Sequence, residues 1–342
     1  MKKLHVLMLI VGLAFVGYLV HRIGPAELWR ELTNLGWGLL PLVCCEGIAE
    51  FFHTISWRYC LSGPHRSIPL MRLFRINMAG YAISYLTPTA SVGGDVTKAG
   101  LLALSHKGPE TVSAVLVGKL SFAIAHLFFV VLGSILILPH IDLRPAIRVG
   151  LLSASLLVAA GIVAFLWIQK HGKLGAFVRW LVARNIGGKR LRNLAHQINS
   201  VDETLKVYFR ERPWGLPLAV FWHLIGYAVG IFQTWFFLRL LVDDSPIPRS
   251  IVAWFLGMWF DLLSFAVPTN VGVFEGTRTV AFSVVAYAPL FGMTYAVALR
   301  AAQLFWAAFG LITYASLIST RTQHPRTEVP LEQRWQRGVP HP

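Results

Sequence analysis

Two stretches far apart in this sequence repeat one pattern of reactive residues. The first reads Pro88, Thr89, Ala90, Ser91, Val92, Gly93, Gly94, Asp95, Val96, Thr97, Lys98, and the second Pro268, Thr269, Asn270, Val271, Gly272, Val273, Phe274, Glu275, Gly276, Thr277, Arg278. Both fit Pro-Thr-x5-acid-x2-base. The prolines end an incoming helix and the glycines permit a turn. A helix restarting there aims its unpaired N–H groups at one place, with Lys98 or Arg278 one turn inside, and such a terminus suits an anion such as a phosphate headgroup. The competing reading is local: Asp95 and Glu275 cap their helices, and Lys98 and Arg278 are their ion-pair partners one turn on. Charges set on a Pro-Gly break among apolar runs are costly unless they serve a function.

A second polar set lies on one apolar run. Glu46, Glu50, His53 and Trp57 share a helix face. Two carboxylates at that spacing repel each other unless one is protonated or paired. The face is either a proton-coupling and cavity surface or a pair satisfied by a neighbouring helix near the membrane surface. Lys119 and His126 share a face of a later run and are available to those acids. His223 and Arg300 stand singly in apolar runs. A lone His is more often a satisfied core residue, and Arg300 reads as either a lipid-phosphate ligand or a buried structural donor. Asp261 is equally open.

The elements that hold these residues follow from composition. The 342-residue chain is 55% hydrophobic and 14% charged, against about 25% charged in a soluble domain. Apolar stretches long enough to cross a bilayer recur at 4–20, 37–61, 111–138, 146–168, 214–242 and 291–319. The first follows Met1, Lys2 and Lys3 and lacks a small-residue cleavage site, so it is expected to be a retained signal anchor. Between these spans, 70–104 and 251–290 are apolar but broken by the two motifs, and neither half of either region can span. Each must enter and return on one side, as a re-entrant hairpin. Trp37 to Pro88 and Trp214 to Pro268 are of similar length, as are Asp95 to Leu138 and Glu275 to Ser319. The expected fold is an all-α integral membrane protein of about six transmembrane helices plus two re-entrant helical hairpins in an inverted-topology repeat. Residues 1–320 form a single polytopic membrane domain, with repeats at about 37–138 and 214–319.

Net charge is +15, but the basic residues sit between spans rather than in a groove-reading module, so nucleic acid is not an expected partner. The segment 170–212 holds Lys170, Lys173, Arg179, Arg184, Lys189, Arg190 and Arg192 among others, which makes it cytoplasmic by the positive-inside rule. Apolar residues at helical spacing there, from Phe177 to Tyr208, suit an amphipathic helix lying on anionic lipid or one packed across the end of the bundle. The segment holding Arg22, Glu27, Arg30 and Glu31 is assigned outside. Lys2 and Lys3 at one end, with the basic and disordered tail 321–342 at the other, place both termini in the cytoplasm. Cys44, Cys45 and Cys60 fall in or beside one apolar span and suggest neither a disulfide framework nor a metal site. No P-loop, H-E-x-x-H or G-x-S-x-G occurs. No cofactor is expected.

The motif around Pro88, Gly93, Gly94, Asp95 and Lys98, followed by Pro268, Gly272, Phe274, Glu275 and Gly276, resembles the flippase-like membrane domain of bacterial lysylphosphatidylglycerol synthases and their stand-alone relatives, which include hopanoid- and glycolipid-associated membrane proteins. The resemblance covers about 4–319. In that family an arginine usually stands where Lys98 does, a conservative departure. The synthases carry a soluble aminoacyl-transfer domain after the membrane part. This sequence ends at Pro342 without one, so lipid aminoacylation is not expected. The resemblance implies a bacterial inner-membrane protein that moves a phosphate-bearing lipid or lipid-linked precursor between leaflets, with a membrane lipid of anionic headgroup as partner. The binding candidates are Thr89, Gly93, Gly94, Asp95, Lys98, Asn270, Gly272, Glu275, Arg278 and Arg300, and the coupling candidates Glu46, Glu50, His53 and Lys119. The alternatives are an integral-membrane enzyme using Asp95 or Glu275 as acid or base on lipid phosphate, and an accessory subunit partnering lipid- or hopanoid-synthesis enzymes. Topology is directly testable: cysteine introduced at Asn185 in a background without Cys44, Cys45 and Cys60 resists an impermeant thiol reagent in intact cells, and ready labelling would reverse the orientation.

Overall fold

The computed structural model describes residues 18, 21, 24–87, 92–106, 108–140, 145–170, 206–242, 245–264 and 271–322. Among them the regular elements are helical and no strand occurs. The apolar run 4–20 except Tyr18, together with Thr89, Asn270, most of the basic linker and the tail from 323, lies outside the described residues.

Helix α1 (Pro25–Leu35) has proline in its first turn, where a missing N–H costs nothing, and Glu27 beside it at the positive end of the helix. Leu28 and Leu35 are buried. The sequence reading treated this stretch as a charged connection. It is an amphipathic helix that runs through a 3-10 turn (Gly36–Gly38) into α2 (Leu39–Tyr59), and the leucines at helical spacing among its charges are the signal.

Four helical stretches are long and apolar enough to cross a membrane: Pro25–Tyr59, Glu110–Ile137, Gly215–Leu241 and Pro289–Ser319. The last three lie in α5 (Pro109–Ile137), α7 (Gly215–Leu241) and α10 (Pro289–Thr322). The expected span at 146–168 is helical, as α6 (Pro145–Lys170). Four is the count among the described residues, and the expected span at 4–20 lies almost wholly outside them.

Both broken regions form two short helices. The first pair is α3 (Leu70–Leu86) and α4 (Val92–Ala103), the second α8 (Ile247–Ser264) and α9 (Val273–Val284). Helix α3 stops because Thr87, next to Pro88, is forced out of the helical region to φ −110° and ψ 139°. Helix α9 starts at Gly272, whose φ of 83° suits glycine, and its N–H donates to Glu275 Oε2 at 2.7 Å.

Each pair returns to the end it came from. His65, just before α3, bonds through Nε2 to Thr111 Oγ1 at the start of α5 at 2.9 Å. Burial, reinforced by His106 nearby, holds the His65 imidazole below its ordinary pKa. Ser245, before α8, bonds to the Tyr287 hydroxyl after α9 at 2.9 Å. Helices α2 and α7 pack antiparallel: Arg212, just before α7, donates to Tyr59 O and Leu61 O at 3.1 and 2.9 Å, while Gln233 late in α7 donates to Leu42 O early in α2 at 2.8 Å. The α3–α4 pair therefore hangs from the end where α2 finishes, and the α8–α9 pair from the end where α7 finishes. Packing partners match across the halves, with α3 on α10 answered by α8 on α5, and α2 on α10 by α7 on α5.

The arms of the first pair cross at glycine. A Cβ at Gly94 would collide with Gly80 O and Ser84 Oγ, so Gly94 permits close approach of two helices and not, as its motif suggested, a turn. Gly94→Ala is expected to lower stability by about 1–3 kcal/mol, seen as a lower melting temperature in detergent. Gly100→Ala, whose Cβ meets nothing within 4 Å, should leave it unchanged or slightly raised.

Candidate functional site

Helices α2, α3, α4, α5, α7, α8, α9 and α10 surround a cavity of about 660 Å³. Its polar lining comes from both sets of residues singled out in the sequence: Glu46, Glu50 and His53 from α2, Asp95 and Lys98 from α4, Lys119 and His126 from α5, His223 from α7, Asp261 from α8 and Arg300 from α10. The motif helix and the acidic face of α2 thus serve one space. Gly93, Gly94, Gly272, Glu275 and Arg278 do not line it.

The motif acids pair across helices instead of along them. Asp95 Oδ2 lies 3.0 Å from Lys119 Nζ, and Glu275 Oε1 lies 2.8 Å from Arg300 Nε. The two pairs match: in each half the acid of the break meets a base on the helix that follows. They differ in setting. The side chains are 44% (Lys119) and 27% (Asp95) exposed in the first, but 19% (Arg300) and 7% (Glu275) in the second. Arg300 also donates from Nη1 to the Tyr85 hydroxyl at 3.3 Å, which ties α10 to the end of α3. The within-helix pairing of Asp95 with Lys98 and Glu275 with Arg278 does not form. Lys119 is on Asp95 and not on the α2 acids, and His126 Nε2 bonds to Met258 O at 2.9 Å. Arg300 and His223, single in the sequence, both have partners.

The two motif bases part company. Arg278 is 3% exposed, donates from Nη1 and Nη2 to the two Asp261 oxygens at 3.2 and 2.6 Å, and lies 4.4 Å over the Phe274 ring. It is a buried structural cation, and the α9 N-terminus it follows is already capped by Glu275. Neither is open to a headgroup. Lys98 faces the cavity, with Nζ 5.4 Å from the Trp57 ring centroid. Among the described residues Lys98 makes no ion pair within 4.0 Å. Both side chains run past a glycine of the incoming helix, the Lys98 stem over Gly80 and the Arg278 guanidinium over Gly257, where a Cβ would displace them.

On α2, Glu50 Oε2 accepts from Asn77 Nδ2 at 3.1 Å, and Glu46 sits beside Gln233 and Tyr81. Asn77, Tyr81 and Tyr85 line the cavity from α3 and were missed in the sequence. The available signal was one asparagine in an apolar run and two tyrosines one turn apart, which stack at 5.9 Å.

The sequence matches the family described as the lysylphosphatidylglycerol synthase TM region over residues 5–310. The chain belongs to this family. It is a multi-pass, lipid-related membrane protein. Comparison with curated proteins gives no match, and comparison with solved structures gives none either.

The burial of Arg278 makes a prediction opposite to that for a ligand-binding arginine. Arg278→Gln removes the buried guanidinium that both Asp261 oxygens accept from and should cost about 3 kcal/mol of stability, visible as lost expression or a lower melting temperature in detergent. A variant that melts normally would show Arg278 to be open after all.

Proposed function

We propose that this family member is a lipid translocator of the bacterial inner membrane, in which the cavity takes the phosphate-bearing headgroup of a membrane lipid from one leaflet to the other. The observation that carries the reading is Lys98: a cation inside a large cavity, set against Trp57, while the neighbouring bases Lys119 and Arg300 are ion-paired. A phosphate oxygen would give Lys98 the direct ion pair that it does not make among the described residues, where Glu50 and Asp95 act on it only from beyond contact distance.

The same proposal reads 37–138 and 214–319 as inverted repeats, with α3–α4 and α8–α9 as re-entrant hairpins. Support comes from the antiparallel α2–α7 contact, from hairpins tied at opposite ends of the bundle, and from the matched pairs Asp95–Lys119 and Glu275–Arg300. Non-helical backbone at membrane depth is tolerated where protein buries it or a wet cavity adjoins it, and Thr87, the last described residue before the first break, lines the cavity. Unequal burial of the matched ion pairs fits a carrier held toward one side, with the first half's pair wet and the second half's closed. Both termini and the basic linker lie in the cytoplasm under this reading. A lipid-modifying enzyme is less well supported, because Asp95 and Glu275 are both committed to ion pairs and Glu275 also caps α9.

Reconstituted protein in liposomes with headgroup-labelled phosphatidylglycerol provides the test. Movement of label to the other leaflet is expected, with Lys98→Gln slowing it about ten-fold or more, the loss of a charge-assisted bond worth about 1.5–3 kcal/mol, at unchanged melting temperature. Covalent change of the lipid would support the enzyme reading, and neither movement nor change would leave the accessory role.

A further inference from the structure

Two imidazoles meet where α2 and α7 cross. His53 Nδ1 lies 2.8 Å from His223 Nδ1, with ring centroids 4.9 Å apart. Such a contact needs a proton on one Nδ1 and a lone pair on the other. The contacts of Ser121 define one arrangement. With its hydroxyl proton given to Gly118 O at 2.8 Å, Ser121 Oγ, which also lies 3.6 Å from Cys60 Sγ, accepts at its 3.3 Å contact with His223 Nε2. In that arrangement, assigned from the hydrogen-bond network, His223 carries its proton on Nε2 and accepts on Nδ1, and His53 donates from Nδ1. His53 Nε2 makes no hydrogen bond among the described residues, is not a closed-in orphan, and belongs to a side chain that lines the cavity. Its lone pair is open to a proton from there.

The pair has a capacity of one added proton. A proton on His53 Nε2 turns that ring into an imidazolium that still donates from Nδ1 to His223, so the contact survives. A second would have to sit on His223 Nδ1, leaving two N–H groups facing each other at 2.8 Å and forcing α2 and α7 apart. The charged and titratable surroundings are Glu46 and Glu50 on the same face of α2, Lys98 from α4, His126 from α5 and Tyr227 from α7, with Phe122 edge-on to both imidazoles. Glu50 stands within Coulomb reach of Lys98, and Lys98 within reach of both imidazoles. Lys98 repels an imidazolium at His53, and an anion seated on Lys98 removes that repulsion. Proton and anion therefore bind cooperatively, each raising the affinity of the other by the same factor.

We propose that the His53–His223 pair is a proton-binding site that couples anion movement to the proton gradient, with one proton carried in the direction of one headgroup phosphate. The proton enters and leaves at His53 Nε2 and no covalent bond to the lipid changes. The site joins the two halves at the contact that any relative motion of α2 and α7 must shear, so its occupancy and the carrier's orientation are linked. This rests on the translocator reading above.

The test uses full-length protein in liposomes containing headgroup-labelled phosphatidylglycerol and a trapped pH dye. With one coupled proton, a one-unit pH gradient shifts the steady-state leaflet ratio of the label by up to about ten-fold and moves the dye signal with it. His53→Gln and His223→Gln should each abolish both responses. A wild-type ratio indifferent to the gradient, or a response kept in both variants, overturns the proposal. If no label moves at all, the translocator reading fails, and the pair is judged separately by nitrogen NMR of histidine-labelled protein in detergent. There one Nδ1–H···Nδ1 bond that takes up a single proton, and is absent from either variant, supports the site. Two imidazoles that titrate independently refute it.

Discussion

A charge at bilayer depth must find an opposite charge, a hydrogen-bonded partner or water, because hydrocarbon supplies none of these. Much of this molecule's architecture follows from how its charges meet that demand. Asp95 reaches α5, Glu275 reaches α10, and Arg278 reaches back to α8, so each pair also fastens one helix to another. Arg300 adds the Tyr85 hydroxyl and Phe274 ring to its carboxylate. The ion pairs are therefore constraints on helix placement as well as solutions to a solvation problem.

Close helix contact depends on the absence of side chains at a few places. Gly80 and Gly94 let the arms of the first hairpin touch, and the same Gly80 gives Lys98 its path into the cavity. Gly257 gives Arg278 its path to Asp261. Two chemically similar bases at equivalent places thus reach opposite fates. One is sealed against a carboxylate and an aromatic ring, and the other is left facing the cavity.

That divergence carries the functional argument. Arg278 does not line this cavity, which combines Lys98 with carboxylates and imidazoles from α2 and α7. Charged and titratable groups from several helices thus lie close enough in one cavity for the charge on one to act on another. The Asp95–Lys119 pair is the more exposed of the two matched ion pairs and the Glu275–Arg300 pair the more buried.

Residence in the membrane, the all-helical class, the two breaks and the shared face of Glu46, Glu50 and His53 were all legible in the sequence. They depend on local properties: apolar run length, the backbone limits of Pro88 and Gly272, and helical spacing. Helix α1 was legible too, in the leucine spacing that a charge-weighted reading passed over. Which charge meets which was not. Asp95 and Lys98 are neighbours on one helix, as are Glu275 and Arg278, and local rules pair them. The pairs that form, Asp95–Lys119 and Glu275–Arg300, are set by where neighbouring helices come to rest. His53 and His223 meet across the α2–α7 crossing, and the burial of Arg278 depends on α8 lying against α9. The sequence by itself determined which residues carry charge into the membrane. Only the tertiary structure decided which of them are sealed in ion pairs and which face the cavity, because a charge in low dielectric takes its setting from the nearest opposite charge, and that neighbour is supplied by another helix.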